Sequence, residues 1–322
     1  MARTSPLDGK LVTLIGGNGF IGSHVAQDLL ERGARVRIAA REPEKAFKLK
    51  PLANLGQLQF ARCNALDKRS IEACVKGSDA VVYLIGAFDG NQQALQADGA
   101  GHAARAASET GATSFVYISA IGADPDSPSD YGRTKALGER AVLETDPDAV
   151  IIRPSIVFGP EDDFFNRFAN MARFSPFLPL IGGGHTRFQP VYVADVAEAY
   201  ARSVDGALEG GRIYELGGPE VLSFRECLEE MLEATYRKRW LVPVPWFVAR
   251  IQGRILGMLP KPLLTLDQVK LLEVDNVVSD EARDAGRTLP GLGIQQHSLA
   301  AILPMYLWRY RPAGQFTRKQ FL

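Results

Sequence analysis

Short apolar runs alternate with helical patterns through the first half of the chain. The runs lie at 11–15, 34–40, 58–61, 79–86, 114–119 and 148–153. Those at 80–85 and 115–118 are almost continuously apolar, as strands covered on both faces of a sheet should be. The alternation predicts βαβ units, and therefore an α/β fold built on a doubly wound parallel sheet.

The first apolar run leads directly into a glycine turn that contains Gly16, Gly19 and Gly22. A helical pattern follows this turn. Strand, glycine turn and helix together are typical of a dinucleotide site. Gly16 allows the tight turn, Gly19 lets backbone N–H groups approach a pyrophosphate, and Gly22 lets the helix lie close on the strand. The helix start at Phe20, Ile21 and Gly22 offers unpaired N–H groups to the phosphates. The alternative is a glycine-rich turn that holds no ligand.

The pattern changes after about residue 160, where the regular alternation stops. Residues 182–184 predict a loop, 189–195 an extended strand that enters a helix, and 213–216 a further strand. We therefore expect a Rossmann-type NAD(P)-binding domain over residues 10–160. Residues 161–322 should form a smaller C-terminal lobe, interleaved with late Rossmann elements at 189–216.

The residue that follows the second strand indicates which dinucleotide is bound. An acidic residue there would bind a ribose 2′-hydroxyl, but this chain has Ala39, Ala40 and then Arg41. An arginine can instead bind a 2′-phosphate, so the sequence favours NADPH over NADH. The alternative is that Arg41 is a solvated surface charge.

Composition excludes several other classes of protein. The chain has 37 basic and 37 acidic residues, which argues against general nucleic-acid binding. The three cysteines and four histidines lack the spacing of metal ligands, so no metal site is expected. We expect neither a secretory signal nor a membrane-spanning segment.

A second constellation lies on the predicted helix that begins near residue 130. Tyr131 and Lys135 are four residues apart and therefore share one face of that helix. A neighbouring ammonium would lower the pKa of the Tyr131 phenol, and it could also hold a ribose hydroxyl. Ser119, at the end of the preceding strand, could position a carbonyl or hydroxyl group beside Tyr131. The three residues suit hydride transfer with Tyr131 as the general acid/base.

In this context the chain resembles the short-chain dehydrogenase/reductase superfamily, in its extended or atypical branch, over roughly residues 10–235. Residues 64–67 are similar to the loop on the adenine side of the cofactor, and 153–160 to the segment that lines the nicotinamide. Asn64 stands where relatives often have aspartate. The resemblance completes the predicted cofactor-binding set, which beyond the glycine turn, Arg41, Tyr131 and Lys135 contains Asn64, Ala65, Leu84, Gly86, Pro154, Ser155 and Val157.

Three further segments, 161–168, 189–195 and 306–312, resemble one branch of this superfamily over nearly the full length. That branch contains the nucleotide-binding accessory subunits of respiratory complex I and their bacterial relatives. The resemblance implies a tightly held NADPH with a structural role, complex I subunits as partners, and a peripheral location. That location would be the cytoplasmic face of the bacterial inner membrane, or the matrix side in a mitochondrion. Some members of the branch lack part of the Ser119, Tyr131 and Lys135 set, so the presence of all three leaves turnover open.

The C-terminal third carries an uneven charge distribution. Six basic residues and no acid lie between Ala234 and Leu266. Residues 246–259 predict a helix with an apolar row, adjacent arginines and a row of small residues that another element could approach. Within 237–261 this suits the surface of an anionic membrane. A packing helix with solvated arginines, or a protein-docking helix, is the alternative.

Three functions remain open on the sequence. The first is an NADPH-binding accessory or assembly-type protein of complex I, in which the cofactor is mainly structural. The second is an active NADP-dependent reductase, epimerase or dehydratase that uses Tyr131 as general acid/base. The third is a factor linked to quinone synthesis.

Overall fold

The computed structural model describes residues 6–88, 90–259, 262 and 264–313 of the chain. They form two compact units. The first contains the residues up to Pro154, together with Val193–Leu216 and Ser279–Ile294. The second contains Ser155–Tyr192, Gly217–Val278 and the residues from Gln295 onward. The sequence suggested a late return near 189–216, but it gave no indication that 279–294 also returns to the first unit.

The strands, in chain order, are β1 Leu11–Ile15, β2 Arg35–Ala40, β3 Leu58–Arg62, β4 Ala80–Tyr83, β5 Ser114–Ile118, β6 Val150–Pro154, β7 Val157–Phe158, β8 Phe177–Ile181, β9 Arg187–Phe188, β10 Val191–Tyr192, β11 Ile213–Leu216, β12 Leu222–Ser223 and β13 Trp240–Val244.

The α-helices are α1 Phe20–Glu31, α2 Lys68–Val75, α3 Gly99–Glu109, α4 Asp130–Thr145, α5 Phe164–Phe174, α6 Val193–Val204, α7 Phe224–Ala234, α8 Trp246–Leu256, α9 Leu266–Leu271, α10 Asp280–Asp284 and α11 Leu299–Leu307. Short 3₁₀ segments lie at Pro43–Leu52, Gly182–Gly184 and Trp308–Tyr310, and a π-helical turn at Ala94–Asp98.

The first unit is built on a seven-stranded sheet in the order β11-β6-β5-β4-β1-β2-β3. Every neighbouring pair in this sheet is parallel. The strand order reverses between β1 and β4, which is the point where ligands bind in doubly wound sheets. The predicted α/β Rossmann-type fold is therefore confirmed.

Small side chains bring the helices of the first unit close to its sheet. Helix α3 contributes the buried residues Ala100, Ala103, Ala104 and Ala107 to a core that includes Phe115 of β5. Helix α1 packs against α6, which is one of the late segments that returns to this unit.

The second unit has a core rich in aromatic side chains, among them Phe158, Phe165 and Phe224. Its strands form three small ladders: β7 with β10 in parallel, β9 with β12 antiparallel, and β8 with β13 in parallel. In the described ranges, none of the helices is long and apolar enough to cross a membrane.

Candidate functional site

The glycine turn leaves the sheet at the reversal of strand order. Gly16 has φ +84°, and its N–H donates to the Ala39 carbonyl oxygen at 2.8 Å, which ties the turn to β2. A Cβ atom on Gly16 would lie 3.1 Å from the Ile85 side chain and 3.2 Å from the Leu84 carbonyl carbon. Both the backbone angle and the available space therefore favour glycine at this position.

Gly19 and Gly22 differ in what surrounds them. A Cβ on Gly22 would lie 2.6 Å from the Gly17 Cα, so helix α1 presses directly on the turn, rather than on the strand as expected. A Cβ on Gly19 would meet only the Gly16 carbonyl oxygen, at 3.4 Å. The Gly19 side of the turn is therefore open to a ligand.

Helix α1 begins without a side-chain cap. Its N-cap residue is Gly19, no side chain of the described residues bonds its first turn, and no acidic residue lies in that turn. The N–H groups of Phe20, Ile21 and Gly22 have no acceptor within the helix. This arrangement suits the pyrophosphate of a dinucleotide, which supplies both the missing acceptors and a negative charge.

Two arginines end neighbouring strands at the same edge of the sheet. Arg41 follows β2, is exposed, and forms no hydrogen bond or ion pair with the part of the chain that is described. Arg62 ends β3 and lies opposite Ala40 in the strand register. The pKa of Glu42 lies below its usual range because Lys45 hydrogen-bonds it, with smaller Coulombic contributions from Arg41 and Arg62. Arg62 was not predicted as a site residue, because only the pairing of β3 with β2 places it beside this edge.

The predicted adenine-side loop forms a compact turn after β3. The Asn64 side-chain oxygen accepts from the Leu66 N–H at 3.1 Å, and the Asn64 N–H donates to the Ser70 hydroxyl at 2.9 Å. Asn64 is exposed, whereas Ala65 is buried. The Asn64 side chain therefore shapes the loop itself.

Residues 84–86 leave β4 and approach the helix that carries Tyr131. The Leu84 N–H donates to the Ile15 carbonyl oxygen at 2.8 Å. A Cβ on Gly86 would lie 3.6 Å from the Tyr131 hydroxyl oxygen and 3.8 Å from the Lys135 Nζ. The fold thus brings Gly86, the phenol and the ammonium together, as a nicotinamide–ribose site requires.

Lys135 is held by backbone carbonyl groups. Its side chain is completely buried, and Nζ donates to the carbonyl oxygens of Ile118 at 2.7 Å and Ile85 at 3.1 Å. Burial lowers the pKa of Lys135 to about 7, and the nearby Glu139 carboxylate opposes this shift. The ammonium Nζ lies 5.8 Å from the centre of the Tyr131 ring.

Tyr131 has a different electrostatic environment from the one expected. Burial raises the pKa of its phenol, whereas the sequence predicted that Lys135 would lower it. The Phe88 ring stacks on the Tyr131 ring with centroids 4.3 Å apart and planes 14° apart. The surroundings of Tyr131 therefore disfavour the phenolate, and an aromatic side chain covers one face of its ring.

The hydroxyl of Ser119 hydrogen-bonds to a buried acidic residue. Ser119 is 1% exposed and donates to the Glu139 carboxylate. Glu139 also accepts two hydrogen bonds from Arg153, at 2.6 and 2.7 Å. Arg153 reaches Glu215 of β11 at 3.4 Å, and Glu215 accepts from the Ser279 N–H at 2.8 Å. This buried network was not apparent in the sequence, because its members are far apart along the chain.

The remaining predicted cofactor residues follow β6. The Pro154 carbonyl oxygen accepts from the Ile121 N–H at 3.1 Å. Ser155 and Val157 belong to the second unit. There the Ser155 hydroxyl donates to the Asn276 side-chain oxygen at 2.7 Å, and Val157 begins β7. In the same described ranges, no group of three or more His, Cys, Asp or Glu side chains could hold a metal ion.

The comparisons agree with this geometry. A family model described as NAD(P)H-binding matches residues 16–162. The NADH dehydrogenase [ubiquinone] 1 alpha subcomplex subunit 9 of Arabidopsis thaliana is 32% identical, over 96% of this chain and 80% of the plant protein. This chain belongs to the subunit 9 family.

Another member of the subunit 9 family, from Rattus norvegicus, is 34% identical over 89% of this chain and 76% of the rat protein. Among solved structures, the NADPH-dependent quinone oxidoreductase QOR2 of Escherichia coli, complexed with NADPH, superposes with a TM-score of 0.71. It is 17% identical, and the match covers 90% of this chain and 97% of the other. That likeness is one of fold. The glycine turn, the uncapped start of α1 and the group around Gly86 fit a nicotinamide dinucleotide.

Proposed function

We propose that this chain is an NADPH-binding accessory or assembly-type protein of respiratory NADH:ubiquinone oxidoreductase, complex I, and that its cofactor is mainly structural. Its relatives at 32% and 34% identity are named as subunits of that complex. The observation that carries the structural role is the direction of the Ser119 hydroxyl. It donates to Glu139, so the group expected to polarise a substrate is committed to the buried network.

The residues that would hold NADPH are distributed along the carboxyl ends of the strands. The first turn of α1 would bind the pyrophosphate, and Arg41 with Arg62 would bind the 2′-phosphate. Lys135 and Gly86 would lie at the nicotinamide ribose. When bound, the nicotinamide supplies a hydride, but a ligand that binds only the folded chain also stabilises it by mass action.

The association is tested by isolating complex I from membranes of the native source. We expect the chain to copurify with complex I, at the cytoplasmic face of a bacterial inner membrane or the matrix side of a mitochondrial one. Chain recovered entirely alone in the soluble fraction would contradict this assignment. The role of the cofactor is tested separately, by following exchange of bound NADPH for labelled NADPH. Slow exchange of the bound NADPH supports a structural cofactor, whereas rapid exchange opposes that role.

A second candidate function is an NADP-dependent reductase, epimerase or dehydratase. It is favoured by the group in which the Tyr131 hydroxyl and the Lys135 Nζ both lie within 4 Å of the Gly86 Cβ position. Tyr131 would then donate or accept the proton that accompanies hydride transfer. Measurable NADPH oxidation that Tyr131→Phe abolishes, with unchanged nucleotide affinity, would establish this alternative.

A further inference from the structure

Helix α8 of the second unit presents a row of apolar side chains to solvent. Phe247 is 67% exposed, Ile251 54% and Ile255 63%, and Met258, just beyond the helix, is 86% exposed. Spacings of three and four residues place them on one side of the helix. Isolated exposed apolar residues are ordinary, but a continuous row of this kind marks an interaction surface.

The opposite side of α8 is covered by its own unit. Ala249 and Gly253 are buried, and a Cβ on Gly253 would lie 2.9 Å from the Leu266 nitrogen at the start of α9. Arg250 is tied to Glu273 by two hydrogen bonds of 2.8 and 2.9 Å. Helix α9 therefore packs on this side of α8 at Gly253, and the orientation of the exposed row is fixed.

The two tryptophans near α8 differ in their surroundings. Trp246, the first residue of α8, packs so closely on Gly182 that a Cβ there would overlap its ring. Trp240 is 68% exposed and stacks on Phe177 with ring centroids 5.3 Å apart. Trp246 is therefore a packing residue of the second unit, and only Trp240 is available to a partner.

The exposed row of α8 carries an unneutralised positive charge. Arg254 lies between Ile251 and Ile255, is exposed, and forms no hydrogen bond or ion pair with any residue the structure describes. The sequence contains no acid between Ala234 and Leu266. A partner surface for this row must therefore combine apolar contact with negative charge.

We infer that the exposed row of α8, Phe247, Ile251, Arg254, Ile255 and Met258, docks on an anionic lipid bilayer. A bilayer offers hydrocarbon for the apolar side chains and anionic headgroups for Arg254 at the same depth. A second copy of this chain fits less well, because pairing two rows would bring two Arg254 guanidinium groups together without a carboxylate from either row. The lipid contact would be a second attachment, beside the proposed association with complex I. It rests on that proposed function only in placing the chain at a membrane.

The test is sedimentation of the purified full chain with vesicles. We expect it to sediment with phosphatidylcholine vesicles that contain phosphatidylglycerol, and to remain in solution with phosphatidylcholine alone. Added salt should release part of the bound chain. The double variant Ile251→Glu/Ile255→Glu should lose sedimentation, and Arg254→Gln should weaken it about fivefold, the usual effect of one basic residue near an anionic surface. Val221→Glu is the matched control, since Val221 is an exposed apolar residue of the same unit outside α8.

Equal sedimentation with neutral and anionic vesicles, or none with either, would overturn the inference. So would a dimer in solution that Ile251→Glu/Ile255→Glu converts to monomer, because the row would then belong to a second copy. Failure with vesicles while the chain still copurifies with complex I would refute the lipid contact and leave the proposed function standing. The reverse pair of results would refute the function and leave the lipid contact standing.

Discussion

The hydroxyl of Ser119 donates to the carboxylate of Glu139, which is itself held by Arg153. Ser119 and Glu139 are both buried, so this contact is part of the interior of the first unit. We expect a hydrogen bond of this kind to contribute to the stability of the folded chain. The contact gives Ser119 a structural role, which the sequence alone could not distinguish from a role beside a substrate.

Ser119→Ala should therefore lower the free energy of unfolding by about 1–3 kcal/mol, the usual scale for a buried hydrogen bond to a charged group. NADPH affinity should change little. Chemical denaturation and calorimetric titration measure the two quantities, with Ser108→Ala on the exposed side of α3 as control. Unchanged stability together with lost turnover would return Ser119 to a catalytic role.

Arg153 joins two buried carboxylates, and its removal should cost more. Arg153→Met leaves Glu139 and Glu215 without their guanidinium partner, so we expect a loss of about 3–5 kcal/mol in unfolding free energy. Arg140→Met breaks the exposed pair between Arg140 and Glu144 and should have little measurable effect. Similar losses in both variants would show that burial does not control the strength of the Arg153 network.

The stability of the nucleotide-free chain should depend on pH through Lys135. The folded chain holds this side chain with a pKa of about 7, below its ordinary value of 10.5. Between these values the unfolded chain binds the proton and the folded chain does not, so stability should rise as pH increases from about 7 to 9. The slope from this residue approaches about 1.4 kcal/mol per pH unit.

Lys135→Met should remove that part of the slope, while Lys68→Met on the exposed side of α2 should retain it. Denaturation curves at a series of pH values measure the difference between each variant and the parent chain. Parallel pH profiles for Lys135→Met and the parent chain would show that Lys135 titrates normally.

The glycine turn gives a contrast between two alanine substitutions. Gly19→Ala should fold almost normally, since its Cβ meets only one atom at 3.4 Å, but it should lose dinucleotide affinity because the methyl group lies on the open side. Gly22→Ala should lose about 1–3 kcal/mol of stability as well, because its Cβ would lie 2.6 Å from Gly17. Thermal unfolding with and without NADPH separates the two effects. Normal NADPH binding by Gly19→Ala would place the pyrophosphate elsewhere.

Arg41 should decide which nicotinamide dinucleotide is preferred. Arg41→Asp should weaken NADPH binding by about 1–3 kcal/mol, as expected for a lost charge-assisted hydrogen bond, and should leave NADH binding unchanged or stronger. Arg35→Asp at the exposed start of β2 is the control for net charge. Calorimetric titration with both nucleotides gives the result. Equal affinity of the unaltered chain for NADH and NADPH would refute the role of Arg41.

The sheet could be predicted from sequence because its strands are short, apolar and separated by clear turns. β1 and β11 have the predicted bounds, and the glycine turn lies at the expected end of β1. The partners of Lys135 could not be predicted, because two of them are backbone carbonyl groups that the fold brings to one point. The direction of the Ser119 hydroxyl depends in the same way on Glu139, which lies twenty residues later.

The proximity of charged residues on neighbouring strands could not be predicted from the sequence either. Arg62 meets the edge that carries Arg41 only through the pairing of β3 with β2. The small residues of α8 were expected to let another element approach closely, but the sequence does not reveal that this element is α9. In each case the local sequence pattern predicts the helix or strand. Its neighbours depend on contacts between residues that are far apart along the chain.

The network around Arg153 also has a consequence for biosynthesis. Glu215 accepts from the Ser279 N–H, and its own N–H donates to the Arg287 carbonyl oxygen, so the outermost strand of the first unit is completed by residues that leave the ribosome late. The first six strands of the first unit are synthesised early. Its strand β11 gains these two hydrogen bonds only after Ser279 and Arg287 have been added. Until Arg287 has been synthesised, this edge of the sheet lacks part of its hydrogen bonding and is exposed to mispairing, so a chaperone would be of most use in this interval.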